Sequence, residues 1–308
     1  MFQVASHPAV FPHQHLRHES SHHRRPSSTA PSSSPAPIQL PRTLARPQFT
    51  DISRDALAAA APELAGSGVP AEFVRHGLRA KAPAMLGGIG SLAQSHIPQA
   101  LPRSRLPATL SVPLRNNAAG LALPTHALAV SKAGKSGTDE DAPTTVYPVH
   151  AVVLAAHCTK LPRMPRSSPA SQSHVTLPVL PLPLPSLPAF AIIHSWLYTT
   201  RIDAVLSSLL PHALPAPILE RLASSPSEAD ALRVLEDTMA SRQAVHALAT
   251  HLCAASSGNL GVLMGHAGHV KELWTDVVAL GICDPGMWGA IDLAWEVVLG
   301  AMNLAAAQ

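Results

Sequence analysis

Four histidines late in the chain, His246, His251, His266 and His269, are the side chains whose type most directly suggests chemistry, because imidazole is a common zinc ligand. Their spacing argues against it. His246 and His251 are five residues apart and fall on different sides of a helix, and no cysteine pair lies nearby to complete a four-ligand set. Cys158 directly follows His157, which invites assignment of an activated thiol, yet consecutive residues on a helix point in different directions and no acid is placed to orient the imidazole. The run "GGIG" at Gly87–Gly90 lacks both the following Lys-Ser/Thr and the preceding strand of a phosphate-binding loop. The expectation is therefore no catalytic residue, no cofactor and no metal. His150, within "VYPVHAVVLAAHC", is expected to be a core or strand-end histidine bonded to backbone.

Those residues must be positioned by elements that the local pattern predicts. "PTHALAVSK" (124–132) and "TTVYPVHA" (144–151) suit two strands, with the Gly, Ser, Asp and Pro chemistry of a loop between them. "AVVLAAHC" then suits a brief buried helix. "VTLPVLPLPLPSLPAF" alternates Leu and Val with Pro, which predicts an extended edge segment instead of a central strand. Phe190, Ile193, Trp196 and Leu197 recur at helical spacing after it. Further on, Ser225, Pro226 and Glu228 read as N-cap, first residue and capping-box partner of a helix. Residues 260–278 carry an apolar stripe, Gly281 is placed to end that helix, and Asp284 with Pro285 starts another. The two should pack as an antiparallel pair whose apolar faces include Trp274, Trp288 and Trp295. These tryptophans are expected in the core, with partner anchoring as the sharper alternative. "LAAAAPEL" and "FVRHGL" suit short helices nearer the start.

Composition limits what the rest can be. The first 48 residues are dominated by Pro, Ser, His and Arg and have too few bulky apolar side chains to offset the entropy of ordering, so a disordered tail dispensable for folding is expected. The formal charge of +3 comes from a chain in which only 13% of residues are charged, so no direct nucleic-acid contact is expected. Prolines interrupt the most apolar stretch every few residues, and no membrane span or secretory signal is expected. Cys158, Cys253 and Cys283 are widely separated, which fits an intracellular protein without a disulfide framework.

Two family resemblances follow from these stretches. The strand, "V-H-x-x-x-L-A-A" and later "LYT" resemble the core of the BTB/POZ fold at His150, Leu154, Phe190, Tyr198 and Thr199, although "HCTKLPRMPRSS" departs from the serine and buried aromatic usual there. More of the chain, through "ISRDALAAAAPELAGSGVPAEFVRHGLRAKAPAML", "YPVHAVVLAAHCTKLPRMP", "LYTTRIDAVLSSLLP" and "LWTDVVALGICDPGMWGAIDLAWEVVLGAMNLA", resembles the clampless family of basidiomycete fungi. That resemblance implies a non-enzymatic regulator of sexual development, needed for clamp-cell formation and dikaryotic growth under the mating-type pathway. It implies action in the nucleus by contact with transcription factors or other regulatory proteins. The alternative is a BTB-like adaptor for oligomerisation, as a homodimer, or for ubiquitin-ligase recruitment; a small hydrolase ranks third. The expected fold is α+β and mainly helical. It comprises a disordered tail (1–48), short helices and a proline-rich linker (49–123), a BTB-like sheet-plus-helices core (124–211) and a C-terminal helical region (212–308). Candidate core or partner-contact residues are His150, Trp196, Tyr198, Trp274, Trp288 and Trp295.

Overall fold

The computed structural model describes residues 40–308 apart from 49, 99, 116–119, 134–142, 168–170, 172, 212–213 and 226. The tail expectation for residues 1–39, and most of the loop between the two predicted strands, lie outside the described residues. The Ser53 hydroxyl accepts the amide of Ala56 and so starts α1 (Arg54–Ala60). A single 3-10 turn follows, and then α2 (Ala71–Gly90) runs on for 20 residues through Pro83, much longer than the short helix expected. Pro83 is exposed, so its ring and missing amide meet solvent and cost the helix one hydrogen bond without burying an orphan carbonyl.

The stretch expected to be a proline-rich linker contributes two strands, β1 (Leu101–Pro102) and β2 (Thr109–Pro113). With β3 (His126–Lys132), β4 (Pro143–Val149) and β5 (His174–Leu184) they form one sheet of order β1-β4-β3-β5-β2. The β3–β4 pair is antiparallel with His126 opposite Val149, and β3–β5 is parallel with Ala127 opposite Val179. Six of the seven β3 residues are buried because both faces are covered: Leu128 and Val130 face the main core, Ala127 a smaller one containing Leu92, Ile97, Val112 and Val175.

β5 corrects the expectation of an edge segment, since it lies between β3 and β2. Its prolines are tolerated for a register reason. Residues 174–178 pair with β2 and residues 179–184 with β3, so each half has one partner. The Leu184 carbonyl accepts the Ala133 amide on the β3 side, whereas the Val179 amide turns the other way, to Ala108. Pro181 and Pro183 share the parity of Val179, so their missing amides fall where β2 has already ended. Leu180, Leu182 and Leu184 point inward between them.

Between β4 and β5 lies α3 (Ala151–His157), buried along nearly its whole length. After β5 come α4 (Leu187–Thr199), α5 (Ile202–Leu209), α6 (Ala216–Ala223), α7 (Glu228–Ala240), α8 (Arg242–Ala255), α9 (Leu260–Leu280) and α10 (Pro285–Ala306). The start of α7 differs from the sequence expectation. Ser227, not Ser225, is the N-cap, accepting the Asp230 amide while its hydroxyl donates to the Asp230 carboxylate. The junction of α9 and α10 is as expected: Gly281 ends α9 at φ +66°, and the Asp284 carboxylate accepts the Met287 amide at the head of α10. α10 packs against α5, α7, α8 and α9 and is the axis of the helical half. By length and composition it could cross a membrane, which the sequence expectation did not foresee, but 61% of its most apolar window is buried inside the protein. The whole is α+β and mainly helical, as the patterns predicted.

Candidate functional site

The polar groups inside the fold converge where the sheet meets α4. β4 ends at Val149, and His150 stands at the head of α3 with its imidazole 3.1 Å from the Ala122 carbonyl through Nε2 and 3.0 Å from the Tyr198 hydroxyl through Nδ1. A carbonyl only accepts, so Nε2 carries the proton and the phenol donates to Nδ1. The same phenol oxygen accepts the His150 amide at 3.0 Å. Burial holds the His150 pKa below the usual histidine range, with the Ala122 hydrogen bond opposing it, and pushes the Tyr198 phenol well above its own. Tyr147, Phe190 and His194 surround this pair, with Tyr147 and Phe190 edge to face at 5.0 Å and His194 and Tyr198 at 5.4 Å. The result is a neutral, hydrogen-bonded pin that ties segment 121–125, α3 and α4 together.

Gly88 on α2 is part of that pin because a Cβ there would lie 1.8 Å from the Ala122 oxygen, the atom that receives His150. Gly88→Ala is expected to force α2 and the 121–123 segment apart and to cost about 1–3 kcal/mol. Urea unfolding checks it, and an unchanged midpoint would contradict the close approach.

His157 and Cys158 are both buried, and neither is set up for nucleophilic work. Burial, helped by the charge of Arg75, pushes His157 down to about 3, and burial pushes the Cys158 thiol up to about 12. The imidazole is neutral and the sulfur protonated at pH 7. His157 lies edge to face with Trp196 at 5.2 Å, and neither His157 Nδ1 nor Trp196 Nε1 has a hydrogen-bond partner among the described residues. Trp196 is 1% exposed. Of the four late histidines, His266 has its pKa lowered first by burial and then by the charge of His269, so those two lie near enough to interact. Among the described residues no three His, Cys, Asp or Glu side chains are grouped to hold a metal ion.

The other tryptophans differ in what they hold. Trp288 is fully buried at the turn from α9 to α10 and its indole N–H donates to the Ile282 carbonyl at 2.9 Å. Trp274 and Trp295 instead reach the start of the described chain: their indole N–H groups donate to the carbonyls of Ala45 and Pro41, each at 3.1 Å. Leu44 between them is buried in the main core, and Arg46 pairs with Asp292 of α10. Residues 40–48 therefore do not belong with a disordered tail. The compositional boundary at 48 failed because the partners of this segment lie more than two hundred residues away. Beside it runs a groove of about 870 Å³ bounded by residues 42–46, α7, α8 and α10.

One buried acid was missed by pattern reasoning. Asp276 of α9 accepts the Ser186 amide at 2.9 Å, capping α4 from another helix, and the Ser186 hydroxyl donates to Glu272. Burial raises Asp276 to about 7 against the lowering effect of that amide. An acid alone on an apolar stripe is the signal that could have found it.

No curated protein sequence and no solved structure matches the chain, so the BTB/POZ likeness gains no support. Family models do match. Residues 47–185 fit the Clampless protein 1 N-terminal domain and residues 203–308 the Clampless protein 1 C-terminal domain. The division falls at α4 and its flanking turns and so runs through the pin, with His150 inside the first match and Tyr198 between the two. With both domain models satisfied in order, over most of its length, the chain belongs to the clampless family.

Proposed function

We propose that the protein is a non-enzymatic regulator of fungal sexual development, acting in the nucleus by contact with transcription factors or other regulatory proteins in the mating-type pathway that leads to clamp cells. Membership of the clampless family through both domains carries this reading. The chemistry of the interior supports it: the His150–Tyr198 pair is spent on hydrogen bonds within the fold, and the only His-Cys neighbours hold a neutral imidazole and a protonated thiol. The low charge density favours protein partners over nucleic acid.

A strain lacking the protein should form no clamp cells when compatible mates fuse, and the full chain should restore them. Normal clamp formation in its absence would overturn the reading. Affinity capture of the full chain from mating cells should bring down a regulatory protein, identified by mass spectrometry. A BTB-like adaptor would instead give a stable dimer, at twice 32.2 kDa by light scattering, and a ubiquitin-ligase subunit in the capture.

A further inference from the structure

We propose that the face of α9 and α10 carrying Trp274, Asp292 and Trp295 is a docking site for short peptide segments, which the chain fills with its own residues 40–46 and which a partner segment of the same chemistry takes by displacing them. The inference rests on the protein-contact reading above and names its surface. The seated segment, "LPRTLAR", shows what the site recognises. Two indole N–H groups bind the main-chain carbonyls of Pro41 and Ala45, on either side of a bend at Arg42 and Thr43, so they read the path of the backbone whatever its side chains. Side-chain selectivity comes from two places: the core position filled by Leu44, and the carboxylate of Asp292 that pairs with Arg46 two residues on. The ligand is therefore a segment that bends ahead of a leucine, with an arginine two residues after that leucine. Glu296, one turn beyond Asp292, lines the groove that continues past the segment and offers a second carboxylate to a basic partner.

Occupant and receptor also fall differently against the family models. The three receptor side chains lie within residues matched to the C-terminal domain model, whereas residues 40–46 precede the first residue matched to the N-terminal one. Among the described residues the strap is held by two indole hydrogen bonds to its carbonyls, one half-exposed ion pair, the buried Leu44 and the partly buried Leu40. A competing peptide of the same sequence offers each of those contacts again.

The test uses a fluorescein-labelled peptide of residues 40–48 and the full chain, read by fluorescence anisotropy. The Leu44→Ala/Arg46→Ala chain, whose own strap is weakened, should bind the peptide at least tenfold more tightly than the unaltered chain. Adding Asp292→Arg should remove at least tenfold of that affinity, and a peptide carrying Arg46→Glu should recover it. Equal affinity of the two chains, or indifference to Asp292→Arg, would overturn the proposal. Circular dichroism establishes that each chain folds; should Leu44→Ala unfold it, Arg46→Ala alone, altered at a half-exposed side chain, carries the same comparison. Capture of a regulatory protein without peptide exchange would defeat this site and leave the protein-contact reading standing. Peptide exchange without any captured regulator would do the reverse.

Discussion

Replacing Trp288 by alanine is expected to destabilise the protein by about 3–5 kcal/mol, a large share of an ordinary folding margin. Trp288 has no exposed surface and sits where the α9–α10 turn enters the bundle. Its removal leaves a cavity that surrounding helices cannot close, because α10 is held on several sides by α5, α7, α8 and α9. It also strips the Ile282 carbonyl of its indole donor, a buried acceptor left without a partner. Function should be lost with the fold, and a fall in melting temperature should accompany it. Trp295→Phe is the informative contrast, since it keeps an aromatic ring in place and deletes the pyrrole part of the indole with its hydrogen bond to Pro41, a smaller loss of about 1–2 kcal/mol. A Trp288→Ala protein that melts with the unaltered chain would refute the packing of the α9–α10 turn described here.

The same turn shows why some of the fold was legible in the sequence. Gly281, Asp284 and Pro285 each act through their own backbone or the first turn beside them, so their types are enough to fix a helix end and a helix start. β3, β4 and α3 were legible for a related reason, being contiguous and strongly patterned. Where an element depends on distant residues the pattern failed. "TLSVP" becomes β2 only because β5, some sixty residues later, supplies its ladder, and "LPRTLAR" is ordered by indoles and a carboxylate from α9 and α10 and by the core that takes Leu44. The "SPSE" run offers two serines two residues apart. The choice of Ser227 over Ser225 was decided by the reach of Asp230, which closes the hydrogen bonds on one of them. Of the candidate residues, His150 and Tyr198 were visible as types with strand-end and helix spacing. Their shared partner Ala122 was not, since a backbone carbonyl carries no sequence signature.

Acidification should unfold the protein over a window that its buried histidines set. His126, His150, His157 and His194 all have pKa values lowered chiefly by burial, His157 to about 3. Above the unfolded histidine value of about 6.5 neither state binds these protons and the stabilisation is complete. As pH falls below that value the unfolded chain takes up protons that the folded chain refuses, so stability declines by about 1.4 kcal/mol per pH unit for each uncompensated proton. For His157 the decline continues to about pH 3. Asp276 works in the opposite sense. Its folded value near 7 exceeds the ordinary 3.8, so the folded chain binds one proton first and recovers part of the loss between those two values, and Asp284, also raised by burial, adds in the same direction. Below pH 6.5 the proton His157 refuses is offset by the one Asp276 has taken, and His126, His150 and His194 against Asp284 set the net slope toward unfolding. Urea titrations should give midpoints that hold or rise slightly from pH 7.5 to 6.5, where Asp276 takes up its proton, and fall from 6.5 through 5.5 to 4.5. Asp276→Asn should steepen the fall by removing the compensating proton, and His157→Gln should flatten it by about one proton. Midpoints that hold constant or rise from pH 6.5 to 4.5 would mean that the imidazoles of the pin and of α3 are not held neutral by the packing around them, and with that the physical account of His150, His157 and their neighbours would fail.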